Sequence, residues 1–178
     1  MRIVSGLLKG RRIQAPKQLP VRPTTDFAKE SLFNVLNNRV DFEELDVLDL
    51  FSGIGSISYE FASRGAKSVL TIDNNPKCTD FIRQTAERLN INNLHIVRTD
   101  VFAYIAKTRQ TFDVIFADPP YDLSTLKLLP TLIFEYQLLK PNGCFVLEHS
   151  GEYDFSAFPK FLELRKYGNV HFSFFVNT

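Results

Sequence analysis

Residues 112–126 read FDVIFADPPYDLSTL, an apolar strand that runs into Asp118, Pro119, Pro120 and Tyr121. A strand end of this composition can hold an amino group. The Asp118 carboxylate and the Pro119 carbonyl can each accept one N–H. With both bonds taken, the lone pair of an exocyclic amine on a nucleobase is held toward an electrophile and less delocalised into the ring. The two prolines fix the main chain so that the carbonyl points outward, and their missing N–H groups matter little past the sheet edge. Tyr121 offers a ring on which an unpaired or flipped base can stack, worth roughly 1–3 kcal/mol. No strong base is needed, because the amine proton becomes acidic only as the new bond forms; the work is mostly positioning. A plain Pro-Pro turn is the competing reading of the tetrapeptide taken alone.

The rest of such a site must come from upstream. DLFSGIGSIS, residues 49–58, ends one buried strand and opens a helix, and Gly53 and Gly55 let the backbone approach a ligand closely. A dinucleotide fingerprint would carry a third glycine where Ser58 stands, which counts against a nicotinamide oxidoreductase. Asp73 ends the next strand, where a carboxylate can accept two hydrogen bonds from vicinal ribose hydroxyls. Asp100 ends the third, placed to accept from an adenine amine between Val101 and Phe102. Each acid alone also reads as a turn residue or helix cap. Together with Asp49 they mark three successive strand ends with acids and no basic phosphate cradle. That pattern suits a positively charged nucleoside without phosphates, such as S-adenosylmethionine.

These positions depend on an alternation of strands and helices. DVLDLFS, KSVLTID, LHIVRTD, FDVIFADPP and GCFVLEH read as strands, the last set off by a turn at Pro141-Asn142-Gly143. SISYEFASRG ends as a helix at Gly65, and NPKCTDFIRQTAERLN is an amphipathic helix with Pro76 at its first position. VFAYIAK and a segment within 125–139 add two more helices. The tail FLELRKYGNVHFSFFV reads as a hairpin about Lys166-Tyr167-Gly168-Asn169. The fold class is therefore α/β and Rossmann-like: a mostly parallel sheet with helices on both faces and an antiparallel C-terminal hairpin. Ahead of it, RIVSGLLKGRRIQAP reads as a small β-hairpin about Leu8-Lys9-Gly10, followed by a helix capped by Thr24 or Thr25.

Charge divides the chain the same way. The net charge of +1 conceals +6 on residues 1–40 and −5 on residues 41–178. Arg2, Lys9, Arg11, Arg12 and Lys17 make the first part a basic, RNA-binding extension to the main domain. With 178 residues, 44% of them hydrophobic and 17 of them Phe, the chain can bury a core of its own. No apolar run reaches membrane-spanning or signal-peptide length, so a cytoplasmic protein is expected. Cys78 and Cys144 sit in apolar-periodic segments and read as core residues. His95, His149 and His171 show no ligand spacing, and no metal is expected.

DLFSGIGSIS, TIDNN, RTD and DPPY resemble, in order and spacing, the class I S-adenosylmethionine-dependent methyltransferases that act on exocyclic amines. MRIVSGLLKGRRI and RPTTDFAKESLFNVL are similar to the start of one branch, the bacterial small-subunit ribosomal RNA methyltransferase D family. The resemblance covers nearly the whole chain. It implies a seven-stranded sheet and formation of N2-methylguanine at one position of 16S rRNA, in the small subunit or an assembly intermediate; a monomer is the default expectation. It also implies cofactor contacts at Asp49, Gly53, Gly55, Asp73, Asn74, Asp100 and Val101, with Arg22 and Thr24 closing over the methionine end. Asp118 to Tyr121 would hold the target amine. Two positions depart from the family pattern. Phe27 replaces a usual basic residue, which removes one expected RNA contact, and Ser58 replaces glycine or alanine, which is read as a matter of helix packing. Adenine-N6 methylation of DNA or RNA and a non-catalytic RNA-binding assembly role are the rival readings; Asp118 in place of Asn disfavours glutamine methylation.

Overall fold

The computed structural model describes residues 1–16, 19, 25–120 and 122–178. Lys17, Arg22, Thr24 and Tyr121 lie outside the described residues. In chain order the elements are α1 (Asp26–Asn37), β1 (Asp46–Leu50), α2 (Ser56–Ser63), β2 (Ser68–Asp73), α3 (Pro76–Leu89) and β3 (Leu94–Arg98). They continue with α4 (Val101–Lys107), β4 (Phe112–Ala117), α5 (Leu129–Glu135), β5 (Leu139–His149), β6 (Phe161–Tyr167) and β7 (Val170–Val176). The strands form one sheet in the order β3-β2-β1-β4-β5-β7-β6. The first five run parallel and β7 lies antiparallel between β5 and β6. The chain moves outward from β1 to β3, then returns to β4 on the other side of β1. That reversal opens a crevice at the carboxyl ends of β1 and β4, where open α/β sheets bind ligands.

Strand alternation feeds two cores. Val47, Val69, Val114 and Val146 face α1, α2 and α3, while Leu48, Ile115, Phe145 and Phe175 face α4 and α5. Helix boundaries follow local chemistry. The Thr25 hydroxyl accepts the Ala28 N–H to cap α1, and Asn75 caps α3 ahead of Pro76. Asn90 ends α3 in the left-handed conformation that its short polar side chain tolerates. Cys78 and Cys144 are both buried and unpaired. No helix of the described residues is long and apolar enough to cross a membrane, and no group of three or more His, Cys, Asp or Glu among them could hold a metal ion.

Two sequence expectations change. The N-terminal hairpin carries a single antiparallel bridge, Arg2 to Arg12, instead of two strands. The intervening main chain bonds outward to α2. Val4 and Ser5 donate to Glu60, Leu7 donates to the Ser63 carbonyl, and Leu8 donates to the Ser63 hydroxyl. Gly6 makes this approach possible: at φ +82°, a Cβ there would lie 1.8 Å from the Ser63 carbonyl oxygen. Pro141-Asn142-Gly143 likewise lies inside β5 and does not precede it. Asn142 takes φ 63° there, and the β4–β5 register shifts between Phe112 and Val114, so the segment is an irregularity within the strand.

Candidate active site

Three residues with positive φ wind the chain from β1 into α2: Phe51 at 58°, Gly53 at 53° and Gly55 at 82°. Glycine adopts this conformation without strain, whereas Phe51 pays about 1–3 kcal/mol and is held by its surroundings. Its ring meets the Phe102 ring edge-on at 6.2 Å, tying the loop to the first turn of α4. At Gly55 a Cβ would fall 3.0 Å from Tyr59 and 3.1 Å from Ile82, so a bare backbone is needed for α2 to pack on α3. The Ser52 hydroxyl is buried in the same loop without a hydrogen-bond partner among the described residues.

Acids line the carboxyl edge of the sheet on the α1–α3 side. Asp73 closes β2; one carboxylate oxygen accepts the Gly53 N–H at 2.8 Å and the other the Asn75 N–H at 2.8 Å. The carboxylate thus braces the glycine loop and the start of α3 together. Asn74, beside it, is exposed. Asp100 is exposed and caps α4, accepting the Ala103 N–H at 2.9 Å, and Val101 behind it is buried. Asp49 is buried within β1, where the Ser58 hydroxyl donates to it while lying 2.9 Å from the Thr71 hydroxyl. Ser58 is therefore a partner of the Asp49 carboxylate, which corrects its reading as a packing position only.

Burial, reinforced by the Asp118 and Asp73 charges, pushes Asp49 up to about 7, and the Ser58 bond partly offsets this. A carboxyl raised in the folded state keeps its proton over a range where the unfolded chain has released it. Its contribution to stability is therefore present at low pH and lost as pH rises from the ordinary value of 3.8 through about 7. Asp49→Asn should flatten that fall, which thermal unfolding on either side of the window would detect.

Asp118 follows the last residue of β4, and its N–H donates to the Leu50 carbonyl at 3.3 Å. The acid-proline segment is thereby fastened to the strand that opens the glycine loop. Pro119 is buried and Pro120 exposed. The Pro120 carbonyl accepts the Leu123 N–H at 2.9 Å, whereas no hydrogen bond among the described residues uses the Pro119 carbonyl. An acceptor carbonyl thus stands one residue beyond the Asp118 carboxylate.

Sequence reading missed the next acid. β4 and β5 pair with Ala117 opposite Leu147, so Asp118 and Glu148 are the next residues on adjacent parallel strands and share a face. Glu148 is 3% exposed. Burial first, and the Glu148 charge second, drive Asp118 well above the usual carboxylate range. The signal for Glu148 was present in CFVLEH, where it falls on the same side as Cys144 and Val146.

The basic arm sits against this frame through buried charge. Arg2, Lys9, Arg11 and Arg12 are exposed, but Lys29 is 1% exposed; it donates to the Arg2 carbonyl at 2.5 Å and lies 3.8 Å from Glu60. Burial lowers the Lys29 pKa. Arg39 is paired with Glu163 at 2.6 Å. Two of the charges counted in the arm therefore serve the fold.

A parallel sheet reversing at β1 and β4, a glycine loop at that reversal and acids along its carboxyl edge define the class I methyltransferase fold. The chain belongs to the conserved hypothetical protein 95 family, whose model matches residues 1–176. Among its relatives is ribosomal RNA small subunit methyltransferase D from Buchnera aphidicola subsp. Baizongia pistaciae, 29% identical over 100% of this chain and 92% of the relative. The protein of the same description from Buchnera aphidicola subsp. Acyrthosiphon pisum is 33% identical over 82% of this chain and 76% of its own length. A solved T. thermophilus 16S rRNA N2 G1207 methyltransferase in complex with AdoMet and guanosine superposes with a TM-score of 0.69. It is 21% identical, over 87% of this chain and 44% of that one.

Proposed function

We propose that the chain transfers a methyl group from S-adenosylmethionine to the exocyclic N2 amine of one guanine in 16S ribosomal RNA. The observation that carries this reading is the hydrogen bond from Asp118 to Leu50. It joins an amine-holding strand end directly to a cofactor-type glycine loop. The names of the Buchnera relatives support the ribosomal substrate, and the guanosine in the T. thermophilus complex supports the base.

The residues present fit the cofactor. The buried Ser52 hydroxyl lies in the loop with no hydrogen-bond partner among the described residues, and Asp73, Asp49 and Asp118 lie close enough together for the first and last to raise the Asp49 pKa, a concentration of acids that suits a positive charge. When bound, S-adenosylmethionine supplies a methyl group on a cationic sulfur that leaves as a neutral thioether. Asp73 would take the ribose hydroxyls, with Asn74 beside it, while Asp100 and Val101 would hold the adenine; Gly53 and Gly55 admit the ligand against the main chain. Arg22 and Thr24 would close the methionine end. Asp118 and the Pro119 carbonyl would accept the two amine protons, Pro120 would fix that carbonyl, and Tyr121 would stack on the base. As the nitrogen–carbon bond forms, the nitrogen becomes positive and gives up one proton to the Asp118 carboxylate or to water.

Residues 1–40 act in this reading as the RNA-binding extension of a methyltransferase domain spanning 41–178. Charge reversal at exposed Arg11 and Arg12 should weaken RNA affinity and reduce the slope of log affinity against log salt, by roughly 0.7–0.9 for each phosphate that is no longer neutralised. Titrations at several salt concentrations that superpose on the wild type would remove the arm from the interface.

The function itself is tested with methyl-labelled S-adenosylmethionine and small subunits from a strain lacking the gene, followed by nucleoside analysis of the RNA. Label in N2-methylguanosine is expected. Label in N6-methyladenosine would keep the chemistry and replace the base. No label, with cofactor binding intact, would refute methylation of this substrate.

A further inference from the structure

Phe27 stands where the family resemblance expects a basic residue, and it is 68% exposed in the first turn of α1. An exposed ring of that size is unusual for a residue that could have pointed elsewhere, and its surroundings are specific. Phe27 meets Tyr167 edge-on at 6.0 Å and 82°, and Tyr167 in turn leans on buried Phe172 at 5.9 Å. The platform is therefore anchored to the sheet.

Its place in the fold is at the active-site edge. His149, at the carboxyl end of β5, pairs with His171 at the start of β7, so the β6–β7 turn projects from the edge that carries Asp118 and Glu148. The first turn of α1 reaches the same edge, since the Lys29 ammonium lies 3.5 Å from the Ser56 hydroxyl at the start of α2.

A groove of about 350 Å³ adjoins this platform between α1 and β6, lined by Ser31, Asn34, Asn38, Arg39, Arg165 and Tyr167. Phe27, Ser31, Asn34 and Asn38 recur at helical spacing along one stripe. That stripe offers an aromatic face, a hydroxyl and two amides, with no charged side chain among them. Arg39 and Arg165 share the single carboxylate of Glu163, at 2.6 and 2.7 Å, which leaves one net positive charge on the groove wall. Stacking faces with amide hydrogen bonders and guanidinium groups match single-stranded RNA, whose unpaired bases present both π-faces and hydrogen-bonding edges.

We infer that Phe27, Tyr167 and the α1–β6 groove bind a single-stranded RNA segment flanking the modified nucleotide. This rests on the RNA methyltransferase reading, and it exchanges an electrostatic contact for a stacking one at position 27. A stacking contact predicts a loss of affinity without a change in salt dependence, which separates it from the arginine arm.

The test uses the full chain, a short fluorescent single-stranded RNA of mixed sequence, and the variants Phe27→Ala, Phe27→Trp and Asn34→Ala. Phe27→Ala should weaken binding roughly 5- to 100-fold with an unchanged salt slope, Phe27→Trp should restore it, and Asn34→Ala should weaken it severalfold. Wild-type affinity in Phe27→Ala would overturn the inference. So would Phe27→Ala that binds free RNA normally yet methylates small subunits poorly, because the surface would then meet a protein. Phe27-dependent RNA binding by a chain that transfers no methyl group would uphold the surface and refute the enzymatic reading. Methylation without any dependence on Phe27 would do the reverse.

Discussion

Asp118→Ala is expected to abolish methyl transfer to small subunits while leaving S-adenosylmethionine affinity within a few fold of wild type. The reasoning is geometric. The carboxylate sits past β4 on the main chain that bonds to Leu50, and in the proposed reaction it is one of the two acceptors that hold the amine. Its loss leaves a single acceptor, the Pro119 carbonyl, and a target nitrogen free to rotate its lone pair back into the ring. Misplacement of a reacting group costs on the order of 10²-fold, and a withdrawn charge-assisted hydrogen bond adds to it, so turnover should fall by at least about 10³-fold. Asp118→Asn separates shape from charge. The amide keeps one acceptor oxygen but donates from the other position, so it should also be severely impaired. The pH profile offers an independent check. Burial and Glu148 raise Asp118 above the ordinary carboxylate range; the ionised form offers two acceptor oxygens and charge-assisted bonds, whereas the protonated form turns one oxygen into a donor. Wild-type activity should therefore decline toward acid with a limb above the usual carboxylate range. Glu148→Gln removes the neighbouring charge and should shift that limb to lower pH. An unmoved limb would separate the two acids, and near-normal turnover in Asp118→Ala would refute the proposed role outright.

The sheet was legible because buried parallel strands write continuous apolar runs and their helices carry strong punctuation. Pro76 and Asn90 bracket α3, Gly65 follows α2, and Gly168 turns the last hairpin. The positions of the glycine loop and Asp118 were legible because glycine, proline and acids punctuate the chain where a buried apolar run stops, and both segments follow the carboxyl ends of β1 and β4. Long-range partners left no such mark. Glu60 looks like an ordinary surface acid of the short helix SISYEFASRG, yet every residue of α2 is buried. Lys29 contributes to the basic count of the arm although it is enclosed beneath it. Ser58 signals a missing glycine in a one-dimensional motif, while its bond to Asp49 requires knowing that α2 folds back over β1. Burial inverts the meaning of a charge, and burial is a property of the packed chain.

Glu60→Ala is the substitution with the largest expected effect on stability. The Glu60 side chain is fully enclosed and accepts N–H bonds from Val4 at 2.9 Å, Ser5 at 3.0 Å and Arg64 Nε at 3.1 Å, with Arg64 Nη2 in an ion pair at 3.0 Å and the Lys29 ammonium 3.8 Å away. It is the point at which the N-terminal arm, α1 and α2 meet. Removing one member of a buried charge cluster leaves the others desolvated without compensation, at a cost of about 3–5 kcal/mol. Asp26, 3.9 Å from Lys29 and 44% exposed, is too well solvated to replace it. For a chain of 178 residues that loss lowers the unfolding midpoint by roughly 6–20 °C. The arm supplies a more specific readout than the midpoint. The Val4 and Ser5 amides should lose protection from hydrogen exchange in Glu60→Ala, and RNA affinity should fall with them, since Arg2, Arg11 and Arg12 ride on that main chain. Combining Glu60→Leu with Lys29→Met removes the two fully buried charges, leaves Arg64 its contacts with Phe33 and Asn37, and should recover part of the midpoint without restoring protection of the two amides. That separation distinguishes a clamp on the arm from a charge pair that only stabilises α1 against α2. A single Glu60→Ala variant with wild-type exchange at Val4 and Ser5 would mean that the arm is held without Glu60, by its bonds to Ser63 and Lys29 and the burial of Ile3 and Ile13.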